Sequence, residues 1–162
     1  MTEPAPQRIV VGVKGSASSL AALRWAAAEA RLRRTTLHAV HAWEPAARHA
    51  SYAILADRPA RGQERRHAQD DLAAIVRAAF GATLPADITA EVVEGMAERV
   101  LVDRSEAASL LVLGAAADAG PTGRPAGPVI RACMRSARCP LVIITAPARA
   151  RPAVINTPVA VS

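Results

Sequence analysis

The sequence predicts an α/β fold: a parallel sheet of five strands with helices on both faces. Three observations carry this. The runs Ile9–Val13 and Ser109–Gly114 are apolar on both faces, as central parallel strands covered by helices must be. Apolar runs alternate with Ala-, Leu- and Arg-rich amphipathic segments in the order β-α-β-α-β-α-β-α-β, which right-handed crossovers convert into a parallel sheet. Finally, a loop of Gly, Ala and Pro joins the apolar run ending at Gly114 to a helix start at Gly127.

Residues 1–7 are acidic and Pro-containing and are expected to form a disordered lead-in to a single domain over 8–146. The first strand, Ile9–Val13, ends at Lys14-Gly15-Ser16. A helix follows over Ala17–Arg34, capped by Ser16 or Ser18, with Leu20, Leu23, Ala27 and Ala30 on its inner face. The second strand is Thr36–Trp43, closed by Pro45. His38 and His41 fall on opposite faces of it, so they cannot share a metal, and they read as partly buried strand histidines. A long connection from Glu44 to about Pro59 leads to a helix over Arg61–Gly81 with the stripe Leu72, Ile75, Val76, Ala79 and Phe80. Gly81 is its C′ stop.

Asp87–Gly95 is a third, more edge-like strand. Met96–Ala108 reads as a helix with Val100, Leu101 and Ala108 inward. After the fourth strand and its loop, Pro128 suits the first turn of a helix, where its missing N–H costs nothing. The stripe Val129, Ile130, Cys133, Met134 and Ala137 is expected to be buried, and Cys139–Thr145 is the fifth strand. Residues 147–162 read as a Pro-containing tail with room for one short strand near Val159.

Composition narrows the function classes. A chain of 162 residues fits one domain, and with an aromatic fraction of 2% its core must be Ala, Val, Leu and Ile. No apolar run is long enough for a membrane span, and the N-terminus lacks a signal-peptide core, so a cytoplasmic protein is expected. Cys133 and Cys139 form neither a disulfide framework nor zinc spacing; Cys133 falls on a buried stripe, where a packed thiol is expected. The net charge of +6 comes from scattered arginines with almost no aromatics for base stacking, so nucleic acid is not the expected partner. Ser16, Ser18 and Ser19 lie near Lys14 without a histidine or acid in the same loops, which favours capping over nucleophilic catalysis.

In doubly wound sheets, ligands bind beyond the carboxyl ends of the strands where the winding reverses. If the two most apolar strands are neighbours, Lys14-Gly15-Ser16 meets the Gly114–Gly127 loop at one crevice. Uncapped amides at a helix N-terminus favour an anion there.

VVGVKGSASSLAALRWAAAEA, LHAVHAW, VVEGMAERVLVDRSEAASLLVLGA and ARCPLVII, in this order and spacing, resemble the universal stress protein family over about Ile9 to Thr145. The resemblance implies a Rossmann-like sheet in the order 3-2-1-4-5, cytoplasmic stress-response roles, an unidentified regulatory protein partner, and homodimers paired through the last strand. That strand supplies Leu141, Val142, Ile143 and Ile144, an apolar edge that a monomer would have to cover.

The resemblance further implies candidate nucleotide- or anion-binding positions at Gly12, Val13, Lys14, Gly15, Val40, Gly114, Ala117, Arg124, Gly127, Pro128 and Val129. ATP-binding members carry an Asp after the first strand and a Gly-x2-Gly-x9-Gly-Ser/Thr motif after the fourth. Here the Asp position is Lys14, the second Gly is Ala117 and the Ser/Thr is Pro128, while Gly114 and Gly127 match. Lys14 cannot ligate a cation, Ala117 restricts positive φ, and Pro128 supplies neither hydroxyl nor N–H.

Two expectations follow. One is a dimeric, non-enzymatic interaction protein whose ATP site is degenerate, weak or lost, with weak ATP hydrolysis the only activity left open. The other is a crevice that binds a nucleotide or anion with Lys14 in place of a metal. A flavoprotein-type nucleotide-binding subunit is a rival, but the partner domain and stronger Gly-rich loop it requires are absent from this sequence. A DNA-associated regulator rests on charge alone.

Overall fold

The computed structural model describes residues 8–46, 61–116 and 126–146. The lead-in, most of the 44–59 connection, Ala117, Arg124 and the tail with Val159 lie outside the described residues. The elements are β1 (Arg8–Gly12), α1 (Ala17–Arg33), β2 (Thr36–Trp43), α2 (Arg61–Phe80), β3 (Ile88–Glu94), α3 (Ala97–Ser105), β4 (Ala108–Ala115), α4 (Pro128–Ser136) and β5 (Leu141–Thr145). The strands form one sheet in the order β3-β2-β1-β4-β5, with every pairing parallel.

Strand alternation divides the core into two layers. Ile9 and Val11 of β1, with Leu110 and Val112 of β4, pack under α1 and α2 against Leu23, Ala26, Leu72 and Ile75. Val10, Leu111 and Leu113 face the other way, under α3 and α4, against Val100, Leu101, Ile130 and Cys133. Ile9, Val10, Val11, Leu111 and Val112 are all 0% exposed, which explains why β1 and β4 read as apolar on both faces. Each fully buried Ile, Leu or Val contributes about 1.5–3 kcal/mol, and the small face of α1 (Ala22, Ala26, Ala27, Ala30) lets that helix lie close to the sheet.

Helix ends follow local chemistry. Ser16 caps α1 by accepting a hydrogen bond from the Ser19 amide at 3.2 Å. Helix α1 stops one residue earlier than expected because Arg34 turns left-handed at φ 53. Gly81, at φ 84, ends α2 as expected. Two inward assignments need correction. Ala108 opens β4 rather than closing α3, because α3 ends at Ser105. Met134 is 67% exposed; Ile130 and Cys133 are the buried residues of α4, Val129 packs partly against the same core, and Ala137, which also packs against it, lies just beyond the helix in extended backbone.

Candidate functional site

The chain leaves β1 for β2 and β3 on one side and returns to β4 and β5 on the other. Successive connections therefore diverge between β1 and β4, and a crevice opens at their carboxyl ends. It holds a cavity of about 690 Å³, within the usual range for a small-molecule site. Gly12, Val13 and Lys14 enter it from the end of β1, Val40 from β2, Gly114 from β4, and Gly127, Pro128 and Val129 from the start of α4. The structure thus brings together all the described residues expected at the site except Gly15. That glycine, at φ +82, lines a smaller cavity of about 360 Å³ on the α2 side.

Gly12 forms part of the floor because a Cβ there would meet the side chains of Leu101 and Leu113 at 2.9 Å. Three helices begin at this crevice: α1 with Ser16 and Ser19, α3 with Ala97 and Glu98, and α4. Their N-terminal ends supply partial positive charge. At α4 no side chain among the described residues caps the free amides. Gly127 is the N-cap without a side-chain hydrogen bond, and Pro128 has no N–H to offer. The amides of Val129 and Ile130 follow, and the first intrahelical bond runs from the Arg131 amide to the Gly127 carbonyl at 3.1 Å.

The β1–α1 loop is tied to itself. The Lys14 amide donates to Ser19 Oγ at 2.8 Å, and Ser16 Oγ lies 3.2 Å from Ser18 Oγ. Ser16 Oγ is the helix cap, while the buried Ser18 and Ser19 hydroxyls are engaged within the loop. The Lys14 side chain stands exposed at the crevice. Glu44 and Glu98 line the same cavity, so its walls carry both signs of charge. Among the described residues no group of three or more His, Cys, Asp or Glu is placed to hold a metal.

Sequence reasoning missed His41, as it did Trp43, Glu44, Gly95 and Glu98 on the same crevice. His41 lines the crevice, and its Nδ1 lies 2.9 Å from the Val13 carbonyl oxygen. The available signal was register: Gly12 pairs with Val40, so the next residue of β2 must flank Val13 at the carboxyl end of the sheet. His38, three residues earlier, lies away from the crevice, with Nε2 3.3 Å from Glu91 Oε1.

A single-layered parallel sheet with helices on both faces and a crevice at its switch point defines a Rossmann-like α/β protein. The chain belongs to the universal stress protein family, whose model matches residues 6–145. It is 36% identical over 138 residues to the universal stress protein Rv2623 of Mycobacterium tuberculosis, which covers 84% of this chain but 46% of that protein. The chain thus spans about half the length of this curated relative. Among solved structures, a universal stress protein in complex with cAMP is 30% identical, with a TM-score of 0.55, covering 88% of this chain and 98% of that one. A universal stress protein from Archaeoglobus fulgidus shares the fold at a TM-score of 0.60 and 24% identity, covering 85% and 98%. No helix among the described residues is long and apolar enough to cross a membrane.

Proposed function

We propose that this protein is a cytoplasmic stress-response regulator that works as a homodimer paired through β5 and carries a degenerate ATP site. The observation that supports this reading is Lys14 on the crevice wall, at the position where ATP-binding members of the family place an acid. A cation there repels the magnesium that would accompany a triphosphate. At α4, Pro128 removes a hydroxyl and an amide from the phosphate cradle. The protein then acts by binding an unidentified protein partner rather than by turning over a substrate.

A second reading is favoured by the crevice itself. Its cavity of about 690 Å³ is open, and three helix N-termini and Lys14 face it. A relative 30% identical over most of its length is known in complex with cAMP. In this reading the crevice binds a nucleotide or another phosphate-bearing anion, ATP among the possibilities, and Lys14 takes the place of the metal. Titration with a fluorescent ATP analogue, with magnesium and with EDTA, separates the two. The degenerate site predicts no saturation at micromolar concentrations in either condition. Metal-free binding predicts saturation in EDTA that Lys14→Ala abolishes. Binding that requires magnesium contradicts both.

A further inference from the structure

We propose that His41 is the second ligand-contacting side chain of the crevice, donating from Nε2 to the phosphate of a bound nucleotide alongside Lys14. The inference deepens the metal-free reading above and rests on it.

Three observations converge on this residue. First, its orientation is fixed: Nδ1 sits 2.9 Å from the carbonyl oxygen of Val13. A carbonyl oxygen only accepts, so the proton of the neutral ring resides on Nδ1 and Nε2 is left with its lone pair. Second, among the described residues Nε2 has no hydrogen-bond partner, whereas His38 on the same strand faces Glu91. Third, Lys14 and His41 are the two residues common to the linings of the crevice and of the smaller cavity on the α2 side. The ring therefore stands at an accessible junction, and its anchor is the residue directly before Lys14. The two side chains are held to one short stretch of backbone.

This geometry selects a phosphate-bearing ligand. A phosphate oxygen beside a neutral Nε2 would meet lone pair against lone pair. Binding therefore brings a proton from solvent onto Nε2, which becomes a charge-assisted donor while Nδ1 keeps its bond to Val13. No bond to the ligand forms or breaks, and the ring moves from neutral to cationic. The other charged groups lining the two cavities are Lys14 from the β1–α1 loop, Asp71 from α2, Glu44 from the end of β2 and Glu98 from α3. Assignment of the proton uptake to the ring therefore depends on substitution at His41 itself.

The test is isothermal titration calorimetry with AMP in EDTA near pH 7, run in two buffers of different ionisation heat. The wild-type protein is expected to take up a fraction of a proton on binding. His41→Asn keeps an N–H for the Val13 carbonyl but loses the Nε2 end. It is expected to bind about tenfold more weakly with no uptake, the loss expected for one charge-assisted hydrogen bond. His41→Gln places a neutral donor near the Nε2 position and is expected to recover part of the affinity without the uptake. Circular dichroism melts of both variants confirm that they fold. If His41→Asn binds AMP with wild-type affinity and uptake, the inference on His41 is overturned while the metal-free reading stands. If the wild-type protein binds neither AMP nor ATP in EDTA, the reading beneath it falls, and this inference falls with it.

Discussion

Gly114 lies against the backbone of Ser18: a Cβ at position 114 would collide with the Ser18 carbonyl and come within 2.6 Å of the Ser19 nitrogen. The first glycine of the crevice is thus demanded by the packing of α1 onto β4, whatever the ligand. Gly127 differs, since a Cβ there would meet nothing within 4 Å and its φ is −60.

Gly114→Ala is therefore expected to destabilise the protein by about 2–3 kcal/mol, because the obstacle is backbone and cannot rotate away. Gly127→Ala is expected to cost only about 0.5–1 kcal/mol as an N-cap change. Urea unfolding of the two variants checks this. Equal losses would contradict the separation of a folding glycine from a site glycine.

Acid is expected to weaken the fold through His38. Burial lowers its pKa below the ordinary 6.5, Glu91 partly opposes this, and Arg8 and Arg104 add to the lowering. Between that depressed value and 6.5 the unfolded chain binds more protons than the folded one, so stability falls as pH drops below 6.5. Arg104 Nη2 holds the same Glu91 oxygen at 2.7 Å, which leaves that carboxylate committed to a permanent cation. Melting temperatures from pH 7.5 to 5 should show the slope, and His38→Gln should flatten it.

The thiols are expected to differ in accessibility. Cys133 is 1% exposed, and burial is the main cause that pushes its thiol up to about 11, with smaller contributions from Cys139 and Glu98. Burial also raises the Cys139 thiol, but that side chain is only partly covered. At pH 8 a thiol reagent should modify Cys139 first and reach Cys133 only on unfolding. Because the folded Cys133 keeps its proton up to about 11 and the unfolded thiol loses it near 9.0, stability should decline between those values. Rapid modification of both cysteines in the native protein would contradict the packing.

The proposed dimer makes a prediction at the sheet edge. On β5, Val142 and Ile144 lean toward the α1–α2 core and Leu141 toward the α3–α4 core, leaving Ile143 39% exposed. Ile143→Lys puts a charge on an edge that pairs only if apolar. Sedimentation velocity should show the wild type as a dimer and the variant shifted to monomer. A variant that stays dimeric would move the interface away from β5.

Much of this molecule was legible in its sequence because burial on two faces leaves a plain pattern. The run Thr36–Trp43 before Pro45 marks β2, and double-sided apolarity marks β1 and β4 as candidates for central neighbours, which the sheet order bears out. Where apolar periodicity and burial part company, the reading failed. Met134 continues the helical stripe of α4 but is 67% exposed. Ala108 fits a helix or a strand equally well, since one methyl group carries almost no period. His41 was hidden for a different reason: alternation gives the face of a strand, whereas a ligand crevice lies at its end.

The hydrogen bond from the Lys14 amide to Ser19 Oγ has a consequence for how such a site can change over time. The loop is held in shape by a main-chain donor and by a serine at the foot of α1, and among the described residues the side chain of residue 14 makes no hydrogen bond that holds it. An acid, a neutral group or a lysine can occupy that position over the same backbone. Charge at the mouth of the crevice is thus a replaceable fitting on a fixed mount, and a lineage can exchange a metal-dependent ligand for a metal-free one without refolding the loop.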